Sequence, residues 1–152
     1  MAYTTAEGRQ QLLDTVAEAV DALGEALARF GVAYEELDES RGDLLEERLF
    51  SPVQKAYGRL RRCHAAFAAR HGLPARSFAQ PDAPAAWHGA RRLVEEAADA
   101  VADADEALAE LQDSLLPVEV GDPELRADLA DVRALLGPLD AAADDVLRQL
   151  WR

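Results

Sequence analysis

Residues 12–37 decide the fold, and they read LLDTVAEAVDALGEALARFGVAYEEL. Apolar residues recur in this stretch at alternating intervals of three and four, which is the period of a helix packed lengthwise against its neighbours. The positions that follow this spacing are Leu13, Val16, Val20, Leu23, Leu27, Phe30, Tyr34 and Leu37. We therefore predict a first helix over residues 5–39 with one long buried face.

The same spacing recurs in three later stretches. We predict a turn at 40–42, a second helix capped by Asp43 and ending near His71, and a loop over 72–82. A third helix follows Asp82 and ends at Pro117, and a fourth runs from Asp122 to the end of the chain. The apolar positions are Leu45, Leu49, Val53, Ala56, Leu60, His64, Phe67 and His71, then Trp87, Ala90, Val94, Ala97, Val101, Ala104, Leu108, Leu111 and Leu115, then Leu125, Leu129, Val132, Leu136, Leu139, Ala143, Val146 and Leu150. Four long helices with short connections predict an all-α, antiparallel up-down-up-down four-helix bundle.

Two of these helices contain a proline, which removes a backbone hydrogen bond and bends a helix. Pro52 either kinks the second helix or leaves residues 43–50 as a separate short helix. The apolar face continues across Pro52, so we expect a kink. The register of the fourth helix crosses Gly137 and Pro138, and we expect a kink there as well.

The length of 152 residues suits a single domain over residues 1–152. The chain also shows a weak internal repeat. A shift of 81 positions aligns Leu13 with Val94 and Leu27 with Leu108, and each half would be a helical hairpin with a proline in its second arm. This pattern suggests a duplicated hairpin, with one copy in residues 1–72 and the other in 82–152.

The composition is typical of a helical protein, with 32 alanines, 22 leucines and no isoleucine. The bias toward alanine, arginine, glycine and proline is also typical of GC-rich genomes, such as those of actinobacteria. No apolar run of 18 residues occurs, so we predict no transmembrane helix. The start of the chain lacks the apolar stretch of a signal peptide, and Cys63 is the lone cysteine. We therefore expect a cytoplasmic protein without an internal disulfide.

The net charge of −13 argues against a nucleic acid as the main partner, because an acidic chain repels phosphates. The charge is unevenly distributed, however, and residues 48–81 contain no acidic residue. Five bases of this segment lie in one stripe of the second helix, namely Arg48, Lys55, Arg59, Arg62 and Arg70. An acidic stripe lies on the third helix, namely Glu95, Asp99, Asp103, Glu106, Glu110 and Asp113. These stripes are either two solvated faces or a docking edge for an acidic partner or a second copy, as in a homodimer.

The sequence contains no recognisable catalytic pattern. It has no Glu-x-x-His, no Cys-x-x-Cys, no glycine-rich phosphate loop and no Ser/His/Asp pattern. His64 and His71 are about 10.5 Å apart along a helix, too far to share one metal directly. We therefore predict no catalytic residue, no metal site and no cofactor.

Most of the aromatic and titratable groups suited to a ligand are predicted at one end of the bundle. An up-down order would bring the 72–82 loop and both chain termini together there. The predicted ligand-binding residues are His64, His71, Trp87, His88 and Trp151, with Tyr3, Phe67 and Phe78 beside them. These residues would form either a pocket or a plug of bulky side chains at the splayed end of the bundle.

The main functional hypothesis is a non-catalytic module for protein interaction or self-association. The alternative is a bundle that binds a small ligand or a metal at its His/Trp end. Reversible binding to a membrane surface is disfavoured, because the polar faces of three helices are acidic and would repel anionic lipid.

Overall fold

The computed structural model describes residues 4–152, apart from the side chain of Ala86. Every regular element in this range is helical and none is a strand, so the predicted all-α class is confirmed. The α-helices are α1 Thr5–Glu36, α2 Glu39–Leu45, α3 Ser51–Arg70, α4 Ala90–Asp113, α5 Leu116–Glu119, α6 Pro123–Leu136 and α7 Leu139–Leu150. A π-helical turn, Glu46–Phe50, joins α2 to α3, and a 3-10 turn, Ala86–His88, precedes α4. Tyr3 lies outside the described range.

The 3-4 spacing identifies the core. Most of the predicted positions are buried, including all eight in α6 and α7, and the buried apolar residues form one contiguous cluster. The clear exceptions are Tyr34, Leu115 and Trp87, whose exposed fractions are 39%, 67% and 81%. Each of them lies near or beyond the end of its helix, where the neighbouring helices no longer cover the apolar stripe. Among the described helices, none is long and apolar enough to cross a membrane.

The first turn of the chain is at Leu37 and Asp38 rather than at the predicted residues 40–42. Leu37 is extended, and the Asp38 side chain accepts a hydrogen bond from the Arg41 N–H at 2.9 Å. Asp38, not Asp43, is therefore the N-cap. Gly42 suggested a turn in the sequence, but it lies inside α2, where its missing side chain leaves room for the ring of Tyr34.

The helical backbone continues from Glu39 to Arg70, so residues 43–50 are not a separate helix. In a regular α-helix the ring of Pro52 would collide with a carbonyl of the preceding turn. That turn is π-helical here, and the Ser51 N–H donates to the Glu46 carbonyl five residues back. The wider turn accommodates the proline within a continuous helix.

Helix α4 begins at Ala90, well after the predicted cap at Asp82. Pro84 disfavours helical backbone at the residue before it, and Gly89 has a φ of 82°, which a helix does not tolerate. The helix also ends before Pro117, because Ser114 adopts extended backbone and its hydroxyl donates to the Leu111 carbonyl at 2.7 Å.

The last helix of the prediction is observed as α6 and α7. Asp122 caps α6 as predicted, since its side chain accepts a hydrogen bond from the Leu125 N–H at 2.8 Å. Gly137 and Pro138 separate the two helices but keep right-handed helical dihedral angles. Pro138 has no N–H, so one backbone hydrogen bond is missing at this point. The chain does not form a turn there.

Side-chain contacts define two ends of the molecule. At the first, which we call the α5 end, Arg9 Nε donates to the Val120 carbonyl at 3.0 Å, and Arg70 Nε is 2.8 Å from Asp122 Oδ2. This end holds the start of α1, the end of α3, all of α5 and the start of α6.

At the opposite end, which we call the α2 end, other ion pairs hold the helices. Arg29 Nε is 3.0 Å from Glu96 Oε2, and Arg48 Nη1 is 3.1 Å from Asp145 Oδ2. This end holds the end of α1, all of α2, the start of α4 and the end of α7.

These contacts show that the up-down-up-down order is wrong. Helix α3 ends at the α5 end, whereas α4 starts at the α2 end, so α3 and α4 run in the same direction. Helices α1 and α6 each pack against both α3 and α4, while the described residues of α3 and α4 share no extensive contact. Neighbouring helices are therefore antiparallel, and α3 and α4 lie on a diagonal.

A crossing segment, residues 71–89, makes this order possible. The prediction treated its first part as a loop confined to one end, but an extended segment of this length reaches about 60 Å. A 30-residue helix is only about 45 Å long. The segment lies over α1 and α3: Arg76 pairs with Asp21 at 2.8 Å, Phe78 packs edge-on against the ring of His64, and Pro81 contacts α1.

Substitution of two glycines by alanine should have opposite effects on stability. A Cβ on Gly121 would collide with the Pro117 carbonyl of the backbone, so Gly121→Ala should destabilise the fold by about 1–3 kcal/mol. A Cβ on Gly31 meets no atom within 4 Å, and Gly31→Ala should stabilise α1 by about 0.5–1 kcal/mol. Urea denaturation of both variants measures the difference, and equal effects would contradict the close approach at Gly121.

Candidate functional site

The predicted ligand-binding residues do not converge on one end. His71 lies at the α5 end beside Asp122, whereas His88 lies at the α2 end near Glu96. Trp87 precedes α4 and Trp151 follows α7, so both belong to the α2 end. The physical reason is the crossing segment, which carries the chain away from His71 before it reaches Trp87.

At the α5 end, Asp122 receives several hydrogen bonds. Arg70 donates through Nε and Nη2 at 2.8 and 2.9 Å, and the His71 ring nitrogen Nε2 lies 2.8 Å from Oδ2. Burial disfavours the charged carboxylate, but Arg70, the Leu125 N–H and His71 together hold the pKa of Asp122 well below its usual range. Both carboxylate oxygens are occupied, so the cluster joins α3 to α6 and leaves no open position for a ligand.

His64 lies beneath the crossing segment with only 3% of its surface exposed. Its ring meets the Phe78 ring edge-on at 5.2 Å, and its Nδ1 has no hydrogen-bond partner among the described atoms. Burial and the nearby charge of Arg76 lower the pKa of His64, and Asp14 opposes them only in part. His64 is therefore suited to pack as a neutral ring, not to bind a ligand as a cation.

Cys63 is the next residue of α3, and it is also buried. Burial, together with the negative charge of Asp128, raises the pKa of the Cys63 thiol to about 12. A thiol in this state is protonated at neutral pH and is a poor nucleophile. It packs as a small apolar residue.

At the α2 end, the rings of Trp87 and His88 lie 4.2 Å apart, but Trp87 faces solvent. His88 Nδ1 is 3.9 Å from Glu96, beyond hydrogen-bond distance, and Glu96 already binds Arg29 and Arg92. Trp151 is half-buried against the core. Among residues 4–152, no group of three or more His, Cys, Asp or Glu side chains could hold a metal ion.

The predicted basic stripe is divided by ion pairs within the chain. Arg48 pairs with Asp145, Arg59 with Asp128 and Asp131, and Arg70 with Asp122 and Glu124. Each of these acids lies in α6 or α7 or caps α6. These arginines therefore join α3 and the π-helical turn before it to α6 and α7.

Two members of the stripe, Lys55 and Arg62, make no ion pair with any described residue. They lie on the outer surface of α3, on either side of Gly58, and line a shallow groove with Gln54, Arg59 and Leu135. No acidic side chain lines this groove. We call the surface formed by Lys55, Gly58 and Arg62 the basic face.

The outer surface of α4 has the opposite charge. Its acidic residues are exposed and make no ion pair within the described chain, apart from Glu95, which binds Arg91 at 3.0 Å. We call this surface the acidic face; its members are Asp99, Asp103, Glu106, Glu110 and Asp113. Because α3 and α4 lie on a diagonal, the basic and acidic faces point to opposite sides of the molecule.

Loss of Asp122 should cost more than loss of an exposed ion-pair partner. Asp122→Ala removes the cap of α6 and leaves Arg70 without its main acceptor, so we expect a loss of about 2 kcal/mol in the free energy of unfolding. Asp131→Ala removes an exposed partner of Arg59 and should cost about 0.5 kcal/mol or less. Urea denaturation at pH 7 measures both, and equal losses would show that Asp122 does not join α3 to α6.

His64 should make stability depend on pH below about 6.5. Its pKa is lowered on folding, so the unfolded chain binds a proton more readily than the folded chain does. Stability should therefore fall as the pH drops below the unfolded value, and it should be unaffected by His64 above that value. Thermal melts at pH 7.5, 6.5 and 5.5 should show a smaller decline for His64→Phe than for the wild-type chain. Identical slopes would contradict this prediction.

Comparison with protein-family models, with curated proteins and with solved structures found no match to this chain.

Proposed function

We propose that this chain is a non-catalytic interaction module that binds to further copies of itself. In the proposed contact, the basic face of one copy packs on the acidic face of the next. The observation that carries the proposal is the pair of unpaired cations, Lys55 and Arg62, in a groove that no acidic residue lines. The other cation of the groove, Arg59, is paired with Asp128 and Asp131 at its edge. In a chain of net charge −13, most other cations are already paired internally.

The two faces match in spacing as well as in charge. Lys55 and Arg62 are seven residues apart on α3, as are Asp103 and Glu110 on α4. Seven residues span about 10.5 Å along a helix, so both cations can meet both acids at once. Gly58 between the cations has no side chain, and the Arg62 guanidinium lies over it, since a Cβ there would be 3.3 Å from Arg62 Nη1.

The diagonal placement of α3 and α4 determines the kind of assembly. A two-fold dimer would place the same patch of both copies in the interface. Here the complementary faces lie on opposite sides, so one copy binds the next head to tail and leaves a free face at each end of the pair. The homodimer expected from the sequence would then be the first step of a longer or closed assembly.

Salt should affect this contact in two ways. At about 0.1 M salt, charges more than about 10 Å apart are screened, which reduces the repulsion between two chains of charge −13. Charges in direct contact are screened less. At 1 M salt the screening length falls to about 3 Å and the contact itself weakens.

We also propose that the four long helical arms form one four-helix bundle with a single crossover connection. The arms are α1, α2 to α3, α4, and α6 to α7, bent at the π-helical turn before Pro52 and at Pro138. The antiparallel contacts and the contiguous core support this arrangement. We further propose that the chain is a single domain built from a duplicated hairpin. We also propose that it is located in the cytoplasm and has no nucleic acid or membrane partner.

The alternative from the sequence, ligand or metal binding by a His/Trp cluster, has less support. It requires His64, His71, Trp87, His88 and Trp151 to share one site, and their contacts place them in separate surroundings.

Charge-reversal variants test head-to-tail association. We expect the double variant Lys55→Glu/Arg62→Glu and the double variant Asp103→Lys/Glu110→Lys each to be monomeric alone in 0.1 M salt. An equimolar mixture should associate again in alternating order, because the intact faces of the two variants are complementary and so are their two reversed faces. Sedimentation velocity and light scattering measure the masses, and wild-type chains should exceed the mass of a monomer.

The double variant Glu18→Lys/Glu36→Lys is the matched control. It makes the same change in net charge as Asp103→Lys/Glu110→Lys, on exposed positions of α1 outside both faces, and it should associate as the wild-type chain does. A monomeric wild-type chain at high concentration, or variants that do not pair when mixed, would refute the proposal.

A further inference from the structure

A cavity of about 250 Å³ opens among α1, the π-helical turn, α4 and the junction of α6 and α7. Its inner wall is apolar and draws on Phe30, Val53, Val101, Leu136 and Ala143. A cavity of about 150 Å³ with such a lining is large enough to bind benzene. The cavity is large enough for an aromatic ring that carries a short aliphatic substituent.

The cavity lies where two irregular helices meet. Leu49 in its wall belongs to the π-helical turn, and Gly137 and Leu139 flank Pro138. Single π-helical turns within α-helices are frequently found at functional sites. Gly137 contributes no side chain to this wall, which leaves space beside the junction of α6 and α7.

The mouth of the cavity is acidic. Its charged lining residues are Asp105, Glu106 and Asp140, and no lysine or arginine lines it. Asp105 binds Arg133 at 3.0 Å. Glu106 and Asp140 make no side-chain hydrogen bond or ion pair with any described residue. Two free carboxylates therefore stand at the opening of an apolar space.

We propose that this cavity binds a small aromatic amine, with the ring inside and the ammonium group at the mouth between Glu106 and Asp140. The apolar wall accepts the ring because ring burial removes apolar surface from water. The carboxylates select the positive charge, since they would repel an anion and gain nothing from a neutral group. This site shares Glu106 with the acidic face, but its ring pocket is not part of the proposed head-to-tail contact and does not depend on it.

A set of three ligands of similar shape tests both halves of the proposal. Phenethylamine carries the ring and a positive charge, 2-phenylethanol carries the ring without a charge, and 3-phenylpropionate carries a negative charge. In calorimetry and NMR titrations at pH 7, we expect the amine to bind about fivefold more tightly than the alcohol. The carboxylate should not bind.

Variants of the chain separate the ring pocket from the charge at its mouth. Glu106→Gln/Asp140→Asn should reduce the amine to the affinity of the alcohol and leave the alcohol unchanged. Ala98→Leu fills the cavity from α4 and should abolish binding of both. Ala109→Leu and Asp144→Asn are matched controls outside the cavity, and both should bind the amine as the wild-type chain does.

Three results would overturn the proposal: no binding of the amine, equal affinity for all three ligands, or binding that survives Ala98→Leu in a folded variant. Far-ultraviolet circular dichroism establishes folding. If Ala98→Leu does not fold, the charge variants and amide shifts around the cavity still decide the outcome. Head-to-tail association is measured on other residues, so either proposal can fail alone.

Discussion

The antiparallel packing of α1 against α4 is the constraint on which the rest of the molecule depends. Both helices carry a stripe of leucine, valine and alanine, and together they make the most extensive helix contact in the described chain. Alanines in both stripes allow the backbones to approach closely, and burial of this apolar surface supplies much of the folding free energy. Since α4 runs antiparallel to α1, the chain returns to the α2 end before α4 begins. The crossing segment, the diagonal placement of α3 and α4, and the opposed charged faces all follow from this one pairing.

Charge serves two separate purposes on the same helical arm. Arg48, Arg59 and Arg70 pair with acids of the last arm and join the two halves of the chain at three positions along the helices. Lys55 and Arg62 are exposed and share a groove with Leu135 of that arm, but they pair with none of its acids. A helix turns by about 100° per residue, so a small difference in position within the stripe decides whether an arginine finds a partner in its own chain or remains available to another molecule.

The irregular helices explain why a core of alkyl side chains still contains a cavity. Protein interiors are close-packed and contain few voids larger than a water molecule. The π-helical turn before Pro52 and the interruption at Pro138 both lie beside α4, and the small residues around them leave the space unfilled. The two prolines mark these positions in the sequence. A proline alone does not reveal that two interruptions far apart in the sequence lie beside the same cavity.

The amino-acid sequence by itself determined the helical class, nearly all of the core, the cap at Asp122 and the continuity of the helix through Pro52. These features depend on periodicity, capping and propensity within one segment, which are local properties. The direction of α4, the separation of His71 from His88 and the pairing of the arginine stripe were decided only by the tertiary structure. Each depends on which helices become neighbours, and a 3-4 stripe packs equally well against a neighbour that runs in either direction. The crossing segment is long enough for α4 to start at either end of the molecule, so only the packed arrangement decides the direction of α4.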